Sequence, residues 1–201
     1  MARLHAVATD AEWASGRLES SKVADVVNLF RAGGFATVGN VIPHAVLDSL
    51  RPRMDYDAAQ QAVVAKYEER GPTSGAGGHL QMGVPRMTPW VAKEIVANPI
   101  LEQLAAVLLL GAGTAAAAAA ASPGSDDGGG EVFLAFFNGN TNIPGSGKQL
   151  LHTDGGWDVQ SPEQAAAAGE SWPQPTASLV FNFSTDAVGP ENGPTQLWPG
   201  D

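Results

Sequence analysis

Residues 111–130 read GAGTAAAAAAASPGSDDGGG and divide the chain into two parts of different character. A segment of alanine, glycine and small polar residues buries too little apolar surface to offset the entropy of ordering it. We therefore expect a mobile surface insertion here. Helical patterns precede it, at about 1–110, and strand-like patterns follow it, at 131–201. At 201 residues, the chain is expected to form a single domain.

Two segments of the first part carry the signals of helices. From Ser21 onward the apolar residues follow helical spacing, and Gly33 and Gly34 provide a C-terminal stop. Further along, Asn98 can cap a helix that has Pro99 at its first position and an apolar face beyond it. Both segments are predicted to be amphipathic helices.

The rest of the first part is predicted from composition and spacing. FATVGNVI at 35–42 is rich in β-branched residues and predicts a strand. A helical turn at 46–50 after Pro43, and a separate helix at 55–70, follow from apolar spacing. Glycine, proline and polar residues are mixed at 71–89, which we interpret as a loop.

Four short runs in the second part are separated by turn signals and read as strands. They are EVFLAFFN at 131–138, KQLLHTD at 148–154, ASLVFNFS at 177–184 and PTQLWPG at 194–200. Helices followed by strands predict a mainly β fold with flanking helices. Its core is expected to be a double-stranded β-helix, a jelly roll like that of the cupins.

Charge and composition narrow the class of function. The formal net charge of -10 makes nucleic acid a poor partner, because a polyanion would bind against the mean field of the protein. The uncharged run 104–121 is rejected as a membrane span because its second half is alanine, glycine and threonine. No secretory signal opens the sequence, so a location in the cytoplasm or an organellar matrix is expected. Without cysteine, any metal would be held by imidazole and oxygen ligands.

His152 and Asp154 lie two residues apart in LLHTDGGWD, at 150–158. In a strand, side chains at i and i+2 share a face, with Cα atoms about 7 Å apart, so the two could bind one ion. An imidazole and a carboxylate, completed by a second histidine, form the facial triad of non-haem Fe(II) oxygenases. The pattern alone is also typical of a histidine–carboxylate hydrogen bond at a surface, and both interpretations stay open.

Longer motifs surround this pair. PGSGKQLLHTDGGW at 144–157 and SLVFNFSTDAVGPENGPTQLWPG at 178–200 resemble the phytanoyl-CoA dioxygenase family of Fe(II)- and 2-oxoglutarate-dependent oxygenases. GFATVGNVIPHAVLDSLRPRMD at 34–55 resembles the opening element of the same family. The resemblance implies a dioxygenase that hydroxylates a small organic or acyl substrate with Fe(II), 2-oxoglutarate and O₂. A carboxylate at Asp154 also argues against the halogenating relatives.

The resemblance assigns roles by position. His152 and Asp154 correspond to the first two iron ligands, and both are therefore candidate catalytic residues. Gln149 and Asn182 are candidates for contacting 2-oxoglutarate, and Trp157 is a candidate wall of the substrate cavity. A structural amide is an equal interpretation of Asn182. No ligand-like residues neighbour His5, His44 or His79, so these three are treated as ordinary.

The family places a second histidine and a 2-oxoglutarate-anchoring arginine beyond the PG turn, further along than residue 201. The jelly roll is therefore expected to be C-terminally incomplete, with weak iron binding and self-association through exposed sheet edges. One alternative is a non-catalytic remnant or scaffold of the family. Another is a cupin-like metal-binding domain.

Overall fold

The computed structural model describes residues 5–67, 79–83, 87–110, 132–144, 146–152, 161–170, 176 and 178–198. About 46 % of the described residues are helical. Within the described ranges the helices are α1 (Asp10–Ser15), α2 (Ser20–Gly33), α3 (His44–Tyr67), α4 (Lys93–Val96), α5 (Pro99–Leu109) and α6 (Pro162–Ala168). The strands are β1 (His5–Val7), β2 (Thr37–Gly39), β3 (His79–Gly83) and β4 (Asn138–Asn142).

The prediction of a mainly β fold with a jelly-roll core is wrong for the described residues. Their strands form two separate two-stranded sheets, with β1 parallel to β2 and β3 antiparallel to β4. Segments 132–137, 146–152 and 178–184 run without strand pairing, as do 193–198. A β-branched or aromatic run becomes a strand only where a neighbouring strand and a packed face support it. Phe133, at 86 % exposure, has no such face.

The two helices with the strongest sequence signals are confirmed. Helix α2 ends at Gly34, whose φ of 77° is the left-handed conformation that favours glycine at a C-terminus. Helix α5 begins after Asn98, whose side chain accepts hydrogen bonds from the backbone N–H groups of Ile100 and Leu101. Local spacing and capping chemistry therefore determine both helices.

Three other predictions need correction. A single helix, α3, replaces the two predicted at 46–50 and 55–70, and it passes through Pro52. Part of the expected loop at 71–89 is strand β3, whereas 71–78 and 84–86 lie outside the described residues. Helix α6 was not predicted, and Ser161 caps it by accepting a hydrogen bond from the Gln164 N–H. The strand predicted at 35–42 is confirmed only at Thr37–Gly39.

The largest core lies between α2, α5 and the β1–β2 sheet. Its buried members come from the chain before the insertion: Ala8, Leu18, Val23, Val26, Val27, Val41, Ile100 and Leu104. The Gln103 side chain, itself buried, accepts from the Leu18 N–H at 2.9 Å and donates to the Leu18 carbonyl at 3.2 Å. This bond pair joins α5 to the segment before α2.

Two smaller cores attach the second part of the chain. One has buried Ile42, Leu50, Trp90 and Ile95, with Phe137 and Phe183 packed against it. The other has buried Ala58 and Leu80, with Met54 and Ile143 against it. Helix α3 contributes to both, so it is the element on which β3, β4 and the aromatic residues of the later segments pack.

Among the described helices, none combines the length and the apolar character that crossing a membrane requires. The insertion at 111–130 lies outside the described residues, so its predicted mobility stays a prediction.

Candidate functional site

His152 lies at the end of the described segment 146–152, in which no helix or strand forms. Its side chain is exposed, and the two residues before it are exposed as well, Leu150 at 88 % and Leu151 at 72 %. The strand expected at 148–154 is therefore absent from the described part of this segment. His152 lies at an exposed position.

The hydrogen bond made by the His152 ring fixes its tautomer. Nδ1 lies 2.7 Å from the Leu150 carbonyl oxygen. Because a carbonyl oxygen can only accept, Nδ1 must carry the proton, and in the neutral ring Nε2 then carries the lone pair. Histidines that bind metals commonly donate their other ring N–H to a backbone carbonyl in this way.

The described residues do not include the second expected metal ligand. Asp154 and Trp157 lie outside the described residues. In the described ranges, no group of three His, Cys, Asp or Glu side chains is close enough to hold a metal. Within the described residues, the feature that suits a metal ion is therefore the His152 imidazole, in the tautomer that has its lone pair on Nε2.

The two candidate 2-oxoglutarate contacts are both exposed, Gln149 in segment 146–152 and Asn182 in segment 178–184. Next to Asn182, Phe183 stacks on Phe137 with ring centroids 6.3 Å apart, and both rings pack against the core that contains Trp90. Asn182 is thus held next to a packed residue and is itself exposed.

A second anchor, just beyond segment 178–184, comes from α3. Arg51 forms an ion pair with Asp186, with 2.9 Å between the guanidinium nitrogen and the carboxylate oxygen. Both side chains are about half exposed, so this pair contributes little to stability. The ion pair holds the chain to α3 shortly after Phe183, the apolar anchor of segment 178–184.

His79 has a role that the sequence did not reveal. It is the first residue of β3, and its Nε2 lies 2.9 Å from the carbonyl oxygen of Gly147, five residues before His152. The carbonyl accepts, so Nε2 carries the proton. The signal in the sequence was the alternation of Leu80 and Met82 in HLQMG, which is typical of a strand but stood in a glycine-rich context.

Asn142 was also missed. It is the last residue of β4, and its side-chain N–H donates to the carbonyl of Gly193 at 2.9 Å. Gly193 follows a short 3-10 helix, Pro190–Asn192, and has a φ of 67°. Asn192–Gly193, a dipeptide typical of tight turns, therefore lies in a turn here, although no strands flank it among the described residues.

The chain matches no protein-family model, no curated protein and no solved structure. The resemblance to the phytanoyl-CoA dioxygenase family consequently stays a prediction from the motifs themselves.

Proposed function

We propose that this protein is an Fe(II)- and 2-oxoglutarate-dependent oxygenase that hydroxylates a small organic or acyl substrate. His152 and Asp154 are the proposed metal ligands. The observation that carries the proposal is the Nδ1–H bond of His152 to the Leu150 carbonyl at 2.7 Å, which puts the ligating lone pair on Nε2.

Each residue has a defined part in the proposal. The His152 imidazole and the Asp154 carboxylate are the ligand types that suit Fe(II), and the carboxylate offsets part of its charge. Gln149 and Asn182 each carry an amide N–H that can donate to a 2-oxoglutarate carboxylate. The bound iron supplies the oxidising chemistry with 2-oxoglutarate and O₂, while these side chains bind and orient the reactants.

The test combines metal binding and turnover. The protein, loaded with Fe(II) in the absence of air, is supplied with 2-oxoglutarate and O₂, and succinate release is measured alongside bound iron. His152→Ala and Asp154→Ala are expected to abolish both signals. His44→Ala is the matched control, since His44 is an exposed histidine at the start of α3. Unchanged succinate release in both site variants would refute the proposal.

A second candidate is a non-catalytic scaffold that keeps the metal ligands without turnover. The observation that favours it is the exposure of Leu150 and Leu151 directly before His152, because adjacent exposed apolar side chains mark surfaces that another chain covers. Iron bound through His152 without succinate release is the result that selects this candidate.

A further inference from the structure

The two segments that carry the family-like motifs are attached to the same end of the β3–β4 sheet. His79 of β3 and Asn142 of β4 are direct partners in the antiparallel register. Directly opposed residues of an antiparallel pair share a face. From that face His79 donates to the Gly147 carbonyl and Asn142 donates to the Gly193 carbonyl, each at 2.9 Å.

This end of the sheet is anchored in the body of the protein. Leu80, next to His79, is 3 % exposed and packs in the core with Ala58 of α3. Ile143, next to Asn142, packs against the same core. A side chain at this end therefore offers a fixed point of attachment.

Segment 146–152 is held differently. Its two leucines are exposed and make little packing contribution, so polar bonds must direct its path. The Ser146 N–H donates to the Ile143 carbonyl at 3.0 Å, and the His79 ring bonds Gly147. These two contacts join the start of the segment to the anchored end of the sheet.

We propose that His79 is a positioning residue for His152: it fixes Gly147, so that the path to the metal-binding imidazole starts from a defined point. The inference rests on the proposed function and deepens it. A ligand held in place before the metal arrives loses less conformational entropy on binding. Removing the His79 bond should therefore weaken metal binding without removing a ligand.

The experiment titrates Co(II) alone into the full chain and follows its visible absorption. His79→Ala is expected to weaken Co(II) binding about two- to tenfold, the range that corresponds to one hydrogen bond. His79→Gln should restore most of the affinity, because its side-chain N–H can reach the same carbonyl. Asn142→Ala is the matched control: it removes a bond of the same length from the same face, but to Gly193, and should leave Co(II) affinity unchanged.

Backbone amide ¹⁵N relaxation of the metal-free chain provides the second readout. Order parameters at 147–152 should be lower in His79→Ala than in the wild type and unaltered in Asn142→Ala. This measurement tests the positioning without metal, so it decides the matter even if a variant binds Co(II) poorly for other reasons.

The outcomes separate the two proposals. Wild-type affinity in His79→Ala, together with loss of binding in His152→Ala, overturns the positioning role and leaves the proposed function standing. Equal weakening by His79→Ala and Asn142→Ala also overturns it, because the effect would then be general loosening. If the wild-type chain binds no Co(II), or His152→Ala binds it equally well, the proposed function fails and the positioning role fails with it.

Discussion

His79 and Asn142 face each other across β3 and β4, and each donates a hydrogen bond to a glycine carbonyl in a different later segment. Gly147 and Gly193 are far apart in sequence, yet both are held at one end of a two-stranded sheet. The arrangement depends on the strand register, since a shift of one strand by one residue would put the two side chains on opposite faces of the sheet.

Because Gly16 lies close to Pro99, even a methyl group added at Gly16 should destabilise the protein strongly. Gly16 ends α1 with a φ of 69°, and a Cβ there would lie 2.8 Å from Pro99 Cγ. Gly16→Ala should lower the free energy of unfolding by about 2–3 kcal/mol, the sum of a left-handed residue and crowding. Urea denaturation measures the change.

Gly34→Ala is the control for that prediction. Gly34 also has a positive φ, 77°, but a Cβ at this position meets nothing within 4 Å. Gly34→Ala should lower the free energy of unfolding by about 1 kcal/mol, because of the backbone conformation alone. Equal losses in the two variants would contradict the packing argument at Pro99.

The buried amide of Gln103 is expected to contribute strongly to stability. Gln103→Met keeps the size of the side chain but leaves the Leu18 N–H and carbonyl without their partner in the core. Each buried group left unsatisfied costs about 1–3 kcal/mol, so we expect a total loss of about 2–6 kcal/mol for the two groups. Glu102→Met, at the exposed neighbouring position, should change the free energy of unfolding by less than about 0.5 kcal/mol. A similar small change in Gln103→Met would show that the bond pair contributes nothing.

Glu12 predicts an acid-dependent stability. The Glu19 backbone N–H, the Lys22 ammonium and the Thr9 N–H, in that order, lower the pKa of the Glu12 carboxyl from 4.5 to about 2. Because the folded-state pKa is depressed, the unfolded chain binds more protons between these values. The stabilisation is present above pH 4.5 and is lost as pH falls toward 2.

Glu12→Gln tests this dependence. Between pH 2 and pH 4.5, the midpoint temperature of thermal unfolding should change less steeply with pH in the variant than in the wild type. Some dependence should persist, since the pKa of Glu163 is also lowered, mainly by its own backbone N–H. Identical slopes for the two proteins would exclude Glu12 as a source of acid sensitivity.

Truncation of Leu104 to alanine should lower the free energy of unfolding much more than truncation of Leu150. Leu104 is 2 % exposed in the largest core, so Leu104→Ala should cost about 2–5 kcal/mol. Leu150 is exposed, so Leu150→Ala should change stability by less than about 0.5 kcal/mol. A comparable loss at Leu150 would mean that segment 146–152 is packed in solution, as the jelly-roll prediction required.

The sequence predicted the candidate site only in part. The tautomer of His152 depends on the Leu150 carbonyl, two residues away, yet the motif does not specify which ring nitrogen bonds it. His79 was interpreted as ordinary because its sequence neighbours contain no ligand, whereas its partner, Gly147, comes 68 residues later. Pairings over such separations are set by tertiary packing and leave no local pattern.

Helices α2 and α5 were determined by the sequence itself, because the Asn98 cap, the glycine stop and apolar spacing act over a few residues. The strands were decided by tertiary structure. HLQMG forms a strand because NGNTN pairs with it and α3 covers Leu80, whereas the described part of ASLVFNFS, richer in β-forming residues, has no such partner. A strand takes its hydrogen bonds from a distant segment, so its formation depends on which segments the fold brings together.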